Sequence, residues 1–592
     1  MASTPYNCNY PREWNSLSRK QIFTHIKENM TIKHPDRLWL VALFISWCFD
    51  QLFWGVTAGI SFFIFILLVV GAGLVLAVGE GLLPARRSLW LLIPLLLFSA
   101  MTAIRQEPFS LAINVLLTLF TLMLAALTMR SGSWPRYSLS DYVIGYLHLI
   151  ASALVRPVKF IIERVQLATA PRPVPSGNDS QSLHRRNPFW SVLRGVLLAL
   201  PVLLVMGALL SSADPIFASK LTGLRDWINV SKLTELLFRA IYISILAFIL
   251  LGVYLHSLLS SQENKLLGIE KPWMPALLNW TEAAIVLGSV DLLFAFFVSI
   301  QFQYFFGGQA NISIQGFTYA EYARRGFTEL VIVAVLSLLL FLGLNSLTRR
   351  QTTSQRRGFT GLGIGLVILV AIILVSAYQR LVLYEQAYGF SRLRTYTHIF
   401  IVWLGILLLL TIVLEVLQRM RAFALVLGII ALCFGLTTNL LNIDGFIVRQ
   451  NVARAVQCNK VIGQDSSKDQ SCSNSPDHLL DTAYLVGLSD DAVPALVSSY
   501  NVNSLPASIH NDLGATLACR AAIQADDRAA QSTGSHQAAW QSFQFASYRA
   551  ENLMNQVAPS LLAFPVHKTD QAQWVVTVNG QMRDCQSDTP ID

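Results

Sequence analysis

One acidic residue stands inside an otherwise apolar segment. Asp291 lies near the middle of Ala283–Phe306, between Val290 and Leu292. A carboxylate at that depth in hydrocarbon costs about 3 kcal/mol, so it should face other helices or a wet cavity. The placement predicts either a proton or cation relay, or a structural hydrogen bond or ion pair with an arginine of a neighbouring helix. Asp291 is therefore the candidate intramembrane polar site.

Two connections between apolar segments combine arginine, glutamate and tyrosine. In the first, Glu321 and Arg325 are four residues apart on one helix face, and Arg324 adjoins them. The second, 379–396, contains the further candidate ligand or docking residues Arg380, Tyr384, Glu385, Tyr388, Arg392 and Arg394. Guanidinium groups in this pattern bind carboxylates or phosphates. Aromatic anchoring at the bilayer surface combined with salt bridges is the simpler interpretation.

Four of the seven cysteines lie in the polar tail, at Cys458, Cys472, Cys519 and Cys585. An even set suits an oxidising compartment and allows three pairings, of which we favour Cys458–Cys472 and Cys519–Cys585. Four reduced thiols in a cytoplasmic tail are the alternative. A metal site is not expected, because neither a CxxC pair nor a neighbouring histidine spacing is present.

Familiar catalytic signatures are missing from the chain. It has no Walker loop, HExxH, GxSxG or paired CxxC motif. Gly361, Gly363 and Gly365 open an apolar segment and do not follow a strand, so they indicate close helix packing. We therefore predict no catalytic residues and no cofactor.

The composition indicates the elements that must position these residues. Of 592 residues, 54% are apolar and 13% are charged, and the mean hydropathy is +0.50. This composition is typical of an integral membrane protein and excludes a soluble multidomain enzyme or a disordered scaffold. The net charge of +9 resides mostly in short segments between apolar runs, where it orients the chain, so nucleic-acid binding is not expected.

Hydropathy predicts an all-α integral membrane protein with about 11 transmembrane helices and a mainly helical C-terminal soluble domain. The predicted spans are Leu38–Phe53, Val56–Val78, Leu89–Ile104, Phe109–Met129, Val192–Leu210, Leu237–Leu255, Ala283–Phe306, Leu330–Leu347, Phe359–Tyr378, Ile399–Leu417 and Phe423–Leu441. With the amino terminus inside, the inner connections hold 24 Lys and Arg residues and the outer ones 9. Basic residues collect on the cytoplasmic side, so this orientation is predicted, with the C-terminal domain outside.

The predicted organisation has five parts. They are a cytoplasmic segment (1–37), a four-helix membrane unit (38–129), a cytoplasmic amphipathic helix with a flexible linker (130–189), a seven-helix membrane unit (190–441) and an extracytoplasmic domain (442–592). The apolar positions of 139–165 have helical spacing, and a twelfth span is the alternative there, against which Arg156, Pro157 and Lys159 argue. Alternation at 574–578 before Asn579 and Gly580 predicts a hairpin.

Four segments together carry a family resemblance: GFTYAEYARRGFTELVIVAVL from Gly316, QRLVLYEQAYGFSRLRTYTHIFIVWL from Gln379, NIDGFIVRQNVAR from Asn442 and LDTAYLVGLSDDAVPAL from Leu480. Over about 190–497 the chain resembles the bacterial polytopic membrane family known as domain of unknown function four-one-seven-three, with its relative four-one-five-three. The resemblance implies a bacterial cytoplasmic membrane location and a multi-span helical build. It supplies no activity.

Three functions compete. The first is a non-enzymatic envelope sensor or assembly partner, whose outer face binds an anionic ligand or an envelope protein near the two connections and near Asp444, Arg449, Asn451 and Asp491. The second is a transporter of a small solute or ion that uses Asp291. The third is a membrane-embedded transferase with the outer arginines on phosphate and Glu321 or Glu385 as base. The lipid bilayer is the expected partner in each.

Overall fold

The computed structural model describes residues 34–169, 199, 206, 230–261, 277–306, 327–462, 480–533, 540–570 and 572–586. Several predictions lie outside the described residues. They concern the span Val192–Leu210, the site residues Glu321, Arg324 and Arg325, Cys472, and nearly all of the amino-terminal segment and of the linker.

The chain is an all-α polytopic membrane protein, as its composition predicts. Within the described ranges, ten helices are long and apolar enough to cross a membrane. They are Ile60–Gly79, Arg86–Ile104, Pro108–Thr128, Leu139–Ile162, Thr234–Leu259, Trp280–Gln301, Phe327–Leu347, Thr353–Gln386, Arg392–Val416 and Met420–Leu441. Helices are required there because lipid offers no partner to backbone N–H and C=O groups.

The ten helices include every predicted span within the described residues except Leu38–Phe53, and they add Leu139–Ile162. Leu38–Phe53 does lie in a helix, but that helix also contains Asp36, Arg37 and Asp50, which make it less apolar. The added segment belongs to one continuous 31-residue helix that holds Pro157 in its interior. Length and composition thus keep the alternative of a span at 139–162 open.

The helices are numbered in chain order. Those before the C-terminal domain are α1 Pro35–Phe53, α2 Ile60–Gly79, α3 Arg86–Leu89, α4 Leu92–Ile104, α5 Pro108–Thr128, α6 Leu139–Thr169, α7 Val230–Leu259, α8 Trp280–Phe306, α9 Phe327–Leu347, α10 Thr353–Tyr388, α11 Arg392–Val416 and α12 Phe423–Leu441. The chain divides into two compact units. Of the described residues, His34 and those within 52–151 and 256–586 belong to the larger unit, and those within 35–51 and 152–255 belong to the smaller.

The ends of the membrane helices in the larger unit lie in two groups, one on each side of the helix bundle. At the far end, which we define by residues 80–91, 129–137, 278–279 and 347–352, Ala85 N–H donates to the Met129 carbonyl at 2.8 Å, and Leu278 N–H donates to the Leu347 carbonyl at 3.0 Å. The domain end is defined by residues 54–59, 105–107, 389–391 and Asn442. Between the ends, the buried amides of Asn114 on α5 and Asn439 on α12 exchange hydrogen bonds of 3.0 and 2.7 Å.

In the smaller unit a charged pair lies within apolar helices. Arg239 Nε donates to Asp50 Oδ1 at 2.9 Å, and a second guanidinium nitrogen and the Tyr242 hydroxyl also donate to this carboxylate. The Asp50 side chain is almost fully buried. A buried carboxylate of this kind persists because a cation and hydrogen-bond donors surround it.

The C-terminal domain follows α12 after one residue. Asn442 has a positive φ of 48°, a left-handed conformation that asparagine tolerates better than most residues, and it turns the chain directly into α13. The domain contains α13 Ile443–Ile462, α14 Thr482–Val486, α15 Val493–Tyr500, α16 Ala507–Thr533, α17 Phe545–Leu561, β1 Val566–Lys568, β2 Trp574–Val578 and β3 Gln581–Asp584. So short a connection restricts the direction in which the domain can leave the membrane.

A hydrophobic core holds this domain together. Ile447 of α13, Leu496 of α15 and Leu513 of α16 are fully buried in it. The strands form an antiparallel sheet in the order β1-β2-β3. Val578 pairs with Gln581 across a turn at Asn579 and Gly580, both of which have positive φ, so the predicted hairpin is confirmed.

Candidate functional site between the membrane helices and the C-terminal domain

The loop between α4 and α5 binds a carboxylate of the C-terminal domain. Arg105 Nη1 donates to Asp491 Oδ1 at 3.0 Å, and the backbone N–H groups of Gln106 and Glu107 donate to Oδ2 at 2.8 and 3.1 Å. Arg105 Nε also donates to the Asn439 carbonyl at 3.0 Å. The Asp491 side chain is almost fully buried, so three donors compensate its loss of hydration.

The same loop begins α5 with a buried glutamate. Glu107 is the N-cap: its carboxylate accepts from the backbone N–H groups of Phe109 at 3.2 Å and Ser110 at 2.6 Å, and Pro108 occupies the first turn. The Tyr396 hydroxyl of α11 donates to the same carboxylate and lies 2.9 Å from Ser110 Oγ. A negative group at a helix N-terminus is favourable, and here it also joins α5 to α11.

Arg392, at the start of α11, forms the second link to the domain. Its Nε and Nη2 donate to Asp444 Oδ1 and Oδ2 at 2.8 and 2.6 Å, a bidentate pair, and Glu107 Oε1 lies 3.9 Å from Nε. Asp444 is fully buried and accepts a further bond from Ser489 N–H at 2.7 Å. We call Arg105, Glu107, Arg392, Asp444 and Asp491 the junction network.

Burial and hydrogen bonding oppose each other at Asp444. Burial raises the pKa of its carboxyl, but the bonds from Arg392 and Ser489 outweigh burial and hold the pKa below the ordinary value of 3.8. Burial raises the pKa of the Tyr484 hydroxyl, which accepts from the Arg392 backbone N–H at 2.8 Å. The Asp444 carboxyl is therefore ionised, and the Tyr484 hydroxyl neutral, at physiological pH.

A further buried arginine stiffens the domain beside the network. Arg520 of α16 donates to the carbonyls of Val486 and Leu488 at 2.8 and 2.6 Å and to Asp490 Oδ1 at 3.1 Å. Asp490 N–H in turn donates to Gln106 Oε1 at 2.8 Å. The chain around Asp490 and Asp491 is thus held from inside the domain and from the membrane helices at once.

The second predicted connection is much shorter than 379–396. Helix α10 extends to Tyr388 and α11 begins at Arg392, so only three residues, from Gly389 to Ser391, join them. The prediction of a long connection was therefore wrong. Polar side chains of the last turns of α10 have tertiary partners, and a hydropathy profile does not include such contacts.

Five predicted site residues lie around this short turn. Arg394 stacks on the Tyr384 ring, with Cζ 4.0 Å from its centroid, and donates to the Tyr388 carbonyl at 3.4 Å. The rings of Tyr384 and Tyr388 meet edge to face. Glu385 is buried with Oε2 3.1 Å from Nδ1 of His398. Arg380 lies in α10, one turn before Tyr384.

Asn451 of α13 fixes the same turn. Its amide accepts from Phe390 N–H at 2.7 Å and donates to the Phe390 carbonyl at 2.9 Å. A Cβ at Gly389 would lie 2.8 Å from Asn451 Oδ1, and Gly389 has a φ of +77°. Glycine is therefore required there both for its conformation and for the close approach of Asn451.

Asp291 lies apart from the junction network, inside α8. It faces Gly365 of α10, where a Cβ would lie 3.5 Å from Asp291 Oδ2. Its Oδ1 is buried and, within the described ranges, has no hydrogen-bond partner. Among the described residues, Oδ1 thus lacks the hydrogen bond or arginine partner that was the simpler expectation for this residue.

Of the tail cysteines, Cys519 and Cys585 form a disulfide that closes a separation of 66 residues. Cys458 is also disulfide-bonded. No group of three or more His, Cys, Asp and Glu residues that could hold a metal ion occurs in the part of the chain that the structure describes.

Glu107, Tyr396 and Arg520 belong to the site but were not predicted from the sequence. A signal existed for Glu107, because an acidic residue directly before proline is typical of a helix start. Arg105 stood on the predicted outer side against the general charge trend, as Arg392 did. Tyr396 and Arg520 carry no comparable local signal.

The fold and this network define a multi-pass helical membrane protein whose C-terminal domain is attached to one end of its helices. Residues 92–499 match the family model described as Domain of unknown function (DUF4153). The match covers more than half of the chain, so the chain belongs to this family. Membership in four-one-seven-three, and a relation between the two families, are not confirmed. Neither a search of curated proteins nor a search of solved structures gave a match.

Proposed function

We propose that the chain is a non-enzymatic protein of the bacterial cytoplasmic membrane, acting as an envelope sensor or assembly partner through its C-terminal domain. The observation that supports the proposal is the pairing of Arg105 and Arg392 with the C-terminal domain. Both guanidinium groups are paired with buried carboxylates of the domain, so they hold it in place. A domain fixed in this way presents a constant surface to a ligand or an envelope protein.

The proposed orientation places the domain end outside. The far end carries Arg86, Arg87, Arg130, Arg349 and Arg350, as expected of a cytoplasmic face. Arginines at the domain end oppose the trend, and pairing with Asp491 and Asp444 gives the physical reason for their presence there. The disulfide between Cys519 and Cys585 also suits an oxidising compartment.

The experiment combines topology and docking. Intact spheroplasts are treated with protease, using the native chain, Arg105→Ala/Arg392→Ala, and Arg528→Ala as a control in the exposed pair with Glu551. We expect slow cleavage of the native domain from outside and at least tenfold faster cleavage of the double variant, because buried carboxylates lose their cations. The control should match the native chain.

Two outcomes contradict the proposal separately. Cleavage only in inside-out vesicles would refute the orientation. Equal cleavage rates for the native and double-variant chains would refute the idea that the arginines hold the domain.

Transport of a small solute or ion is a second candidate, supported by Oδ1 of Asp291, which is buried without a hydrogen-bond partner among the described residues. An intramembrane carboxylate without a hydrogen-bond partner can take up and release a proton or cation. Flux into proteoliposomes along a proton or sodium gradient should then fall at least tenfold in Asp291→Asn and persist in Ser289→Ala on the same helix. Flux that is unaffected by Asp291→Asn removes this candidate.

A further inference from the structure

Exposed aromatic side chains cluster in one short segment of the C-terminal domain. Trp540, Phe543, Phe545 and Tyr548 are 60%, 43%, 49% and 54% exposed. Aromatic side chains usually bury a large area in a folded domain. Four exposed aromatic side chains within nine residues therefore indicate a surface that contacts something other than water.

The backbone of this segment contacts the ends of two membrane helices. Ile60 N–H, in the first residue of α2, donates to the Phe543 carbonyl at 3.0 Å. Gln544 Nε2 lies 3.5 Å from the carbonyls of Ala58 and of Thr102, which is in the last turn of α4. Since α2 and α4 cross the membrane, their ends mark the depth of the bilayer surface.

Gly59 makes this approach possible. A Cβ at Gly59 would lie 2.7 Å from the Phe543 carbonyl oxygen and 2.7 Å from the Ser542 carbonyl carbon, both backbone atoms. A side chain there would push the whole segment away from α2. The contact between the aromatic segment and α2 therefore requires glycine at position 59 of the membrane helices.

The first turns of α17 have two different faces. Ala546, Ala550 and Met554 are buried, on the side that packs within the domain. Phe545, Tyr548 and Arg549, at spacings of three and four residues, share an exposed face. Aromatic rings beside an arginine are typical of the zone between lipid headgroups and acyl chains, where the rings are buried and the cation meets phosphate.

We propose that the aromatic segment Trp540–Tyr548 inserts into the interfacial layer of the same bilayer that α2 and α4 span. The lipid surface is the occupant that the geometry favours, because the backbone of the segment is hydrogen-bonded at the depth where that surface begins. The C-terminal domain is thus attached twice: by the junction network to protein, and by this segment to lipid. The inference does not depend on which side of the membrane the domain occupies.

Fluorescence quenching in proteoliposomes of the full chain tests the proposal. In a background with Cys8→Ala, Cys48→Ala and Cys433→Ala, which removes the two free thiols among the described residues and the cysteine near the amino terminus, Phe545→Cys or Met582→Cys introduces the thiol that carries an environment-sensitive dye. Met582, in β3, is also 50% exposed and serves as the matched control. The quenchers are phospholipids with a spin label at a shallow or a deep acyl position, and aqueous iodide.

We expect the shallow label to quench position 545 at least threefold more than position 582, and iodide to quench position 582 more. Gly59→Ala should lower the lipid quenching at 545 at least twofold, and Gln544→Ala provides a second variant should Gly59→Ala fail to insert. Equal lipid quenching at both positions, or protection of 545 from lipid and iodide alike, which would indicate covering by protein, overturns the proposal.

Discussion

Asp444 and Asp291 are the same residue type in two regions of low dielectric constant, yet their surroundings differ completely. At the junction, Asp444 accepts a bidentate pair from Arg392 and a backbone bond from Ser489. Inside the bundle, Asp291 has a buried oxygen without a hydrogen-bond partner in the described parts of the chain. The comparison teaches that a carboxylate whose hydrogen-bonding capacity is satisfied contributes to structure, whereas a buried carboxylate oxygen without a partner carries a desolvation cost.

The largest effect is expected at Asp444. Asp444→Ala should lower the free energy of unfolding of the C-terminal domain by about 3 kcal/mol, because it removes the bidentate partner of Arg392 and leaves that guanidinium only the longer contact with Glu107. Thermal unfolding in lipid nanodiscs measures it. The double variant Arg392→Leu/Asp444→Leu should lose less stability than the sum of the losses of Arg392→Leu and Asp444→Leu, since neither member of the bidentate pair remains without the other. A double variant as unstable as the sum of the single ones would contradict this account.

Protonation of Asp444 in acid should also lower the stability of the C-terminal domain, but by less than Asp444→Ala. The pKa of folded Asp444 lies below 3.8, so its contribution to stability is complete above about pH 5 and is lost as the pH falls through the folded-state value. The protonated carboxyl keeps some hydrogen bonds, so the loss is less than that caused by alanine. Unfolding measured between pH 7 and pH 3 should depend less on pH in Asp444→Asn, and an unchanged dependence would assign the acid effect to other groups.

At Asp291, loss of the negative charge should raise the stability of the protein. Asp291→Asn should raise the stability of the bundle by about 1 kcal/mol, because an amide costs less than a carboxylate among apolar helices. Thermal unfolding of detergent-solubilised protein gives the value, with Ser289→Ala as the control. A loss of stability as large as that of Asp444→Ala would mean that Asp291 has a structural partner after all, and the comparison would fail.

The smallest effect is expected for an ion pair in water. Arg528 and Glu551 are both about half exposed, 3.2 Å apart. Arg528→Ala should change the stability of the C-terminal domain by less than about 0.5 kcal/mol, because solvent screens the pair and fixing two long side chains costs entropy. Chemical denaturation measures this limit. A cost near that of Asp444→Ala would show that burial does not explain the strength of the junction.

Part of the site was predictable. Arg392 and Arg394 were recognised because arginine on the predicted outer side needs a reason, and Asp444 and Asn451 because they lie in one of the segments that carry the family resemblance. Their partners could not be predicted, since no local pattern connects Arg392 to Asp444 or Asn451 to the backbone of Phe390. The end of α10 was misplaced for the same reason: Glu385 and Arg394 interrupt the apolar pattern, and in the fold they are accommodated in helices by contacts with His398 and Tyr384.

The sequence alone determined the class of protein and the approximate positions of most of its described spans, because hydrocarbon admits only long apolar helices with internally satisfied backbones. It also determined the hairpin of the domain through alternation and a turn that needs positive φ. Tertiary structure decided which charges meet. Arg105 and Asp491 are 386 residues apart in the chain, and only folding brings them within 3.0 Å, where mutual pairing compensates both for the water they lose.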